Sequence, residues 1–391
     1  MNYLPTFETN ESQKELLEVA KNLSASFATR AANYDRQAMF PFENFDEIKK
    51  AGLLDTTIPE HYGGKGFGLY DFILLQETIA QGDGPTALCL GWHLGVLMNV
   101  STYLPWPEGT FKKICNYIAR DNKIINSAHS ESGTGSPARG GLPETSAKKT
   151  DEGEWVLNGR KTFTSMAPIL DYFIVSATIE DTGEVGEFLL SREMNGLSIC
   201  ETWNSVSMRA TRSDDLILEN VKVDSEGLLY IKKGTREPKP QGWLLHIPAC
   251  YLGIAIAARN EAVQFAEAYQ PNSLPHPISH VPKVRERIGI MDIELTAARH
   301  FLYSVAKKWD ESPDTRNELV EDLAAAKYIA TNTALSVVDE AMRVVGAQSL
   351  HSNHPLQRHY RDVRAGLHNP PADDLTVEMM AKRAFGTKKS K

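Results

Sequence analysis

The stretch Glu154 to Ser165, EWVLNGRKTFTS, consists of two short alternating apolar and polar runs on either side of an Asn-Gly pair. Comparable runs stand around it and are bounded by Gly, Asn or Asp: KIINSAH from Lys123, DYFIVSAT from Asp171, EFLLS from Glu187 and DLILENVKV from Asp215. Alternation of this kind indicates half-buried strands. Their close spacing is typical of an antiparallel barrel or sandwich.

Helical patterns flank this strand region on both sides. Apolar residues recur at three- and four-residue intervals from Leu69 to Ala80 and from Pro85 to Val100, with the breaker Gly82-Asp83-Gly84 between the two segments. The same pattern returns after the sheet segments, at 244–268, 284–309, 317–345 and 374–385. Segregated helices and strands predict an α+β fold. We expect an N-terminal helical domain at 1–122, a central β-domain at 123–235 and a C-terminal helical domain at 236–391.

Composition and charge limit the classes of function that the protein can have. With 391 residues and a formal net charge of -8, the chain lacks the basic excess that nucleic-acid binding requires. Its four cysteines have no C-x-x-C spacing, which favours reduced thiols over a disulfide framework or a metal site. Neither a secretory signal nor a membrane-spanning run is visible. These features predict a soluble, cytoplasmic protein.

Three ordered motifs carry a family resemblance. They are SAHSESGTGSPARGG at 127–141, EWVLNGRKTFTS at 154–165 and SMRATRSDDLILENVKV at 207–223. Residues 133–138 also fit the dinucleotide fingerprint G-x-G-x-x-A, but Pro137 and the glycines after it predict no helix to receive a pyrophosphate. The ordered set instead resembles the middle domain of acyl-CoA dehydrogenases, which are flavoproteins.

The resemblance implies a fold and a set of site residues. The expected architecture is an N-terminal helical domain, a central antiparallel β-barrel and a C-terminal four-helix bundle, assembled as a homotetramer with flavin between barrel and bundle. A flavin ring needs hydrogen-bond donors along one edge and a shaped wall against its face. By resemblance those positions are occupied by His129, Ser130, Phe163, Thr164 and Ser165. The expected substrate contacts are Ser136 and Trp243.

The sequence departs from the family at the contacts to the adenosine half of FAD. The family's R-x-x-F-G is missing after the helix ending near Tyr269, and its Q-x-x-G-G-x-G-Y falls on residues 343–350, RVVGAQSL. Arg343 and Gly346 remain as candidate cofactor residues there. The cofactor can therefore be FAD or FMN, and the loss favours FMN.

A second departure concerns the catalytic base. Family members end in R-D-A-(K/R) and then E-G-T, whereas here Arg361 to Arg364 leads to His368-Asn369-Pro370-Pro371, which places Pro370 at the glutamate position. The other family position for this base falls on Trp243. Abstraction of a thioester α-proton needs a positioned carboxylate, which neither residue supplies.

The ending instead resembles the flavin monooxygenases of the same superfamily, such as dibenzothiophene monooxygenase. By that resemblance His368 and His93 are catalytic groups that contact oxygen or the flavin. Three hypotheses stay open: a monooxygenase supplied with reduced flavin by a reductase, an acyl-CoA dehydrogenase that passes electrons to an electron-transfer flavoprotein, and a non-catalytic flavin or acyl-CoA binding protein.

Overall fold

The computed structural model describes residues 4–134, 141–232 and 239–386. Five helices come first: α1 Glu11–Gln37, α2 Phe42–Lys50, α3 Leu69–Ala80, α4 Gly84–Tyr103 and α5 Glu108–Asp121. Eight strands follow: β1 Ile125–Ala128, β2 Ser146–Lys149, β3 Trp155–Thr164, β4 Tyr172–Ile179, β5 Val185–Ser191, β6 Leu197–Cys200, β7 Asp214–Val223 and β8 Leu228–Lys232. The last five helices are α6 His246–Ala268, α7 Pro282–Glu311, α8 Val320–Val345, α9 Pro355–Asp362 and α10 Asp373–Ala384.

Local sequence signals explain where the helices begin and end. The Asn10 side chain caps α1 by accepting from the Gln13 amide, and the Asp83 side chain caps α4 by accepting from the Thr86 amide. The predicted break between α3 and α4 is also a close approach of two backbones. A Cβ atom at Gly82 would lie 2.0 Å from the Ser24 carbonyl oxygen, so only glycine fits there.

The strands form one eight-stranded sheet in the order β6-β7-β3-β2-β4-β5-β8, with β1 beside β4. Most pairs are antiparallel, but β4 runs parallel to both β1 and β2. The sheet is therefore mixed and not purely antiparallel, because long connections carry the chain back between these strands. The two runs of EWVLNGRKTFTS belong to the single strand β3, which has register shifts beside Gly159 and before Thr164.

The helices before and after the sheet pack together. The α3 helix contacts α4 from its own domain and α6 and α7 from the C-terminal bundle, where α6, α7 and α8 pack against one another. One segment, Gly242–Ala268, is long and apolar enough to span a membrane, but 83% of its most apolar window is buried inside the protein, as in a core helix. The helical segments predicted from periodicity are confirmed. The helix α5 was not predicted, although its buried Phe111, Ile114, Cys115 and Ile118 recur at helical spacing, and the short elements α9, β2, β6 and β8 were also missed.

Candidate functional site

The end of β3 presents an exposed aromatic ring beside buried hydroxyls. Phe163 is 66% exposed, has a φ of 56° and packs edge-on against Trp203 at 5.8 Å. Thr164 is fully buried, and its Oγ1 has no hydrogen-bond partner among the described residues. The Ser165 hydroxyl lies 2.9 Å from that of Ser213. We call Phe163, Thr164 and Ser165 the β-domain wall.

The turn after β1 lies against the same strand. The Ser130 carbonyl oxygen accepts a hydrogen bond of 2.8 Å from the Thr162 amide, which fixes this turn to β3. His129 Nε2 lies 3.7 Å from a Glu187 carboxylate oxygen and makes no hydrogen bond to a described residue. Burial lowers the pKa of His129, an effect that Glu187 opposes. An exposed ring, an unpartnered hydroxyl and a neighbouring imidazole fit a flat ligand with polar edges, such as a flavin.

A buried ion pair holds the turn and the strand together. Lys161 Nζ on β3 donates to the Glu131 carboxylate, and both side chains are almost fully buried. That carboxylate also accepts from the Glu144 and Thr145 amides and from the Thr134 hydroxyl. Burial alone would raise the pKa of Glu131, but these hydrogen bonds lower it to about 2. The ion pair therefore orders the segment that supplies His129 and Ser130.

The buried Asp362 ties the sheet to the C-terminal bundle. The Met208 amide donates to its carboxylate over 2.7 Å, and the Ser207 hydroxyl donates to its backbone carbonyl. Burial raises the pKa of Asp362 to about 7, although the Met208 hydrogen bond opposes the shift. The neighbouring Arg361 pairs with Asp35 on α1. The R-D motif thus acts as a structural junction between three parts of the chain.

The predicted catalytic residue His93 is corrected to a structural role. It is fully buried; its Nε2 donates to the Leu54 carbonyl over 2.9 Å, while its Nδ1 accepts from the Ile125 amide over 3.1 Å. Burial lowers its pKa to about 4, so the ring is neutral and joins α4 to β1. Both ring nitrogens are engaged with the backbone, which leaves neither for flavin or oxygen.

His368 lies on an exposed turn between α9 and α10, and its side chain has no hydrogen-bond partner among the described residues. The next residue, Asn369, accepts a hydrogen bond of 2.6 Å from the hydroxyl of Tyr251, which is fully buried on α6. The predicted LHNPP segment is therefore held against the bundle by a tyrosine that the motif comparison did not single out.

The remaining candidates lie apart from these groups. Arg343 is 62% exposed and lies 3.6 Å from Glu340, and Gly346 ends α8 with a φ of 72°. Ser136 falls outside the described residues. The structure does not bring Arg343 or Gly346 into contact with the β-domain wall, so a cofactor role for either remains a prediction.

Trp243 belongs to a group that the sequence comparison missed. Its indole Nε1, both ring nitrogens of His246 and both amide atoms of Gln76 are buried without hydrogen-bond partners among the described residues. We call Gln76, Trp243 and His246 the polar cluster. The available signal was Gln76 in LLQETIA and His246 in LHIPACYLGIA, polar residues inside two largely apolar helices. Such a residue by itself is indistinguishable from an ordinary core substitution.

The β-domain wall, in a fold that places a sheet domain between two helical domains, is typical of a flavoprotein oxidoreductase. The chain belongs to the acyl-CoA dehydrogenase family: family models match its N-terminal domain at residues 10–103, its middle domain at 126–221 and its C-terminal domain at 245–369. The predicted resemblance, fold class and flavin cofactor are confirmed, and the chain is a flavin-dependent oxidoreductase.

The relatives include two kinds of enzyme. The chain is 49% identical over 379 residues, 97% of this chain and 99% of the other, to YdbM of Bacillus subtilis (strain 168), whose name assigns it provisionally as an acyl-CoA dehydrogenase. It is 27% identical over 394 residues, 95% of this chain and 90% of the other, to L-evernosamine nitrososynthase of a Micromonospora species. A solved structure of TdsC from Paenibacillus sp. A11-2 with FMN and indole superposes with a TM-score of 0.85 at 22% identity, covering 96% and 98% of the two chains.

Proposed function

We propose that the protein is a monooxygenase that uses reduced flavin and molecular oxygen to oxidise a small organic substrate. The observation that carries the proposal is that Pro370 and Trp243 occupy the two positions at which the family resemblance places a carboxylate base. In the overall reaction one oxygen atom enters the substrate and the other leaves as water. The two electrons come from the reduced flavin, which becomes oxidised.

The buried carboxylates are already engaged, whereas one oxygen atom of each of the partly buried Asp55 and Glu294 has no hydrogen-bond partner among the described residues. Every carboxylate that is buried in the described parts of the chain has a hydrogen-bond or ion-pair partner. The pairs are Glu77 with Arg299, Asp83 with Thr86, Glu131 with Lys161, Asp214 with Arg212, Asp215 with Arg160, Asp35 with Arg361 and Asp362 with Met208. Asp373, after the Pro-Pro pair, bonds to Lys327 over 2.9 Å. A carboxylate held in this way is a poor base for a weakly acidic carbon.

The residues of this chain have distinct tasks in the proposed reaction. The β-domain wall, with His129 and Ser130, holds the flavin, which supplies the two-electron reduction of oxygen when it is bound. His368 donates a hydrogen bond or a proton to the reacting oxygen, a role that suits an imidazole near neutral pH. Its backbone position is fixed by the hydrogen bond between Tyr251 and Asn369. Trp243 forms part of the substrate cavity.

The proposal extends to cofactor form and partners. Since the family's adenosine contacts are reduced to Arg343 and Gly346, we propose FMN as the flavin and a separate flavin reductase as its source. We also propose a homotetramer in the cytoplasm, and a substrate contact at Ser136. The 27% identity to L-evernosamine nitrososynthase supports an oxygen-transfer reaction for this chain.

The direct test measures flavin identity and use. Purified protein is titrated with FMN and FAD in oxidised and reduced form, and oxygen consumption and product mass are then followed with organosulfur and amine substrates. We expect preferential binding of reduced FMN and addition of one oxygen atom to a substrate. Tight binding of oxidised FAD, with anaerobic bleaching by acyl-CoA thioesters, would overturn the proposal.

Replacing His368 by Phe isolates the proposed catalytic group. We expect substrate oxygenation to fall by about 100-fold or more, because a proton or hydrogen-bond donor is lost, while flavin binding changes little. His351→Phe is the matched control, since His351 is also exposed and lies outside the proposed site. Equal oxygenation by both variants and the wild type would remove His368 from the mechanism.

An acyl-CoA dehydrogenase is the second candidate, favoured by the name of the relative that is 49% identical. That reaction would require an unrecognised base and an electron-transfer flavoprotein as acceptor. Anaerobic mixing with short and branched acyl-CoA thioesters distinguishes the two candidates. Substrate-dependent flavin bleaching supports the dehydrogenase, and its absence alongside oxygen-dependent product supports the monooxygenase.

A further inference from the structure

The polar cluster of Gln76, Trp243 and His246 contains five buried nitrogen and oxygen atoms without hydrogen-bond partners among the described residues. Gln76 and His246 are fully buried, and the three residues come from α3, from the turn before α6 and from α6 itself. Buried polar groups in native proteins are almost always hydrogen-bonded. Several such atoms at one place therefore indicate a missing partner and not ordinary core packing.

Two glycines of α4 make the space for these side chains. A Cβ atom at Gly91 would lie 2.0 Å from Gln76 Nε2 and 2.2 Å from His246 Nδ1, and one at Gly95 would lie 2.5 Å from Trp243 Cε3. Gly91 and Gly95 are four residues apart and so share one face of the helix. The three polar side chains thus converge on the same strip of α4.

The cluster is neutral and has aromatic walls. Burial lowers the pKa of His246 to about 3, so the ring has one donor and one acceptor nitrogen at physiological pH. Its ring stacks with Phe72 at 5.7 Å and with Trp243 at 6.0 Å, and Trp92 packs edge-on at 5.0 Å. A planar group fits between such rings better than a branched one.

A cavity opens on the same face of α4. Met98 and Thr102, which follow Gly95 by three and seven residues, line a cavity of about 320 Å³ together with Trp309. The Trp309 ring also lies against Gly242, since a Cβ atom there would be 2.5 Å from it. Trp243, next in the chain, is partly exposed. The cavity, which Glu60, Asp310 and Arg316 also line, does not include the three cluster residues and lies further along the same face of α4.

We propose that Gln76, Trp243 and His246 form the recognition end of a binding site for a small, uncharged, planar molecule that carries a hydrogen-bond donor and acceptor side by side. Lactams and N–H heterocycles have this chemistry. This proposal rests on the proposed monooxygenase function only where it identifies the ligand as the substrate of that reaction. Binding by itself does not depend on flavin chemistry.

Other ligand classes match the cluster less well. An aliphatic acyl chain would leave all five polar atoms without partners, and desolvated groups of this kind penalise binding. A charged ligand would meet only neutral groups and would lose its hydration without compensation. A neutral molecule with a donor and an acceptor satisfies the Gln76 amide and a His246 nitrogen together.

The test uses 2-pyridone as the probe and toluene as its apolar counterpart, with the purified full-length protein carrying whatever flavin it retains. Binding is measured by titration calorimetry and by quenching of tryptophan fluorescence. We expect saturable binding of 2-pyridone with one site per chain and binding of toluene at least tenfold weaker. Equal affinity for the two probes, or no saturable binding of 2-pyridone, would overturn the proposal.

Two variants separate recognition from structural support. Gln76→Met and His246→Phe should each weaken 2-pyridone at least tenfold and leave the melting temperature of the ligand-free protein unchanged or higher, because an unpartnered polar group is removed. Gln37→Met is the control, since Gln37 is exposed on α1. A lower melting temperature in both cluster variants, with unchanged probe affinity, would show that bound water or a local rearrangement satisfies the cluster and would refute the site.

The two proposals can fail separately. Saturable 2-pyridone binding without any oxygenated product would leave the recognition site standing and remove the monooxygenase function. Oxygenated product from an organic substrate, with 2-pyridone affinity equal in wild type, Gln76→Met and His246→Phe, would leave the monooxygenase function standing and remove the recognition site.

Discussion

The β-domain wall and the polar cluster are both polar sites in apolar surroundings, but they are built differently. The wall is a continuous piece of sequence, Phe163 to Ser165, in which one ring is exposed and one buried hydroxyl has no hydrogen-bond partner in the part of the chain that the structure describes. The cluster assembles Gln76, Trp243 and His246 from separate segments on a strip opened by glycines. A contiguous site can be matched from a motif, whereas an assembled site requires the fold.

The two regions also differ in how they are supported. A buried ion pair and a network of backbone amides hold the segment beside the wall, while the cluster has no hydrogen bonds of its own among the described residues. The wall is therefore expected to be rigid before ligand binding. The cluster is expected to gain its hydrogen bonds only when a ligand arrives.

The largest effect should come from removing the support of the wall. Lys161→Met leaves the Glu131 carboxylate buried without its cation, which we expect to cost about 3–5 kcal/mol of unfolding free energy. Urea denaturation measures the loss, and Lys148→Met on the exposed face of β2 is the control. A loss as small as that of the control would mean that the backbone amides alone hold Glu131, and the contrast in support between wall and cluster would disappear.

A pH titration should test the junction that Asp362 forms between the Ser207-Met208 segment and the C-terminal bundle. The folded pKa of Asp362, about 7, lies above its ordinary value of 3.8, so its contribution to stability is full below pH 4 and is lost as the pH rises through 7. The loss amounts to at most about 4 kcal/mol.

Asp362→Asn removes the titrating group but keeps an oxygen that can accept from Met208. Its unfolding free energy should therefore vary less between pH 4 and pH 8 than that of the wild type. Identical pH profiles of the two proteins would show that Asp362 is ionised throughout this range.

The smallest effect should appear at the exposed ring of the wall. Phe163→Ala removes an exposed side chain, so stability should change by less than about 0.5 kcal/mol, while flavin affinity should fall roughly tenfold, or about 1.4 kcal/mol. Fluorescence titration with FMN measures the affinity, and Leu142→Ala, also at an exposed apolar residue, serves as control. Unchanged flavin affinity would place the flavin away from this wall.

Much of the fold could be predicted from periodicity. The helices α3, α4, α6, α7 and α8 have long apolar repeats, and the runs that became β3, β4, β5 and β7 are apolar or alternating. The short strands β2, β6 and β8 could not be found, because four or five residues contain too few repeats and their pairing comes from neighbours distant in sequence. The parallel pairing of β4 with β1 and β2 has no local signature either.

The residues of the candidate site also divide into those that a motif predicts and those whose role depends on the fold. Sequence predicted a flavin-contacting role for Phe163 to Ser165 and showed a proline, Pro370, in place of the family's carboxylate, because both depend on residue type at a position within a motif. It assigned His93 to catalysis by resemblance to the flavin monooxygenases. The fold instead directs both ring nitrogens to the backbone of Leu54 and Ile125.

The amino-acid sequence by itself determined the order of helices and sheet, which follows from local periodicity, and the family and its two base positions at Pro370 and Trp243, which follow from the resemblance of ordered motifs. Only the tertiary structure decided which polar groups have partners. Hydrogen bonding depends on distances between segments far apart in the chain, and so the structure alone distinguishes the satisfied imidazole of His93 from the unsatisfied one of His246.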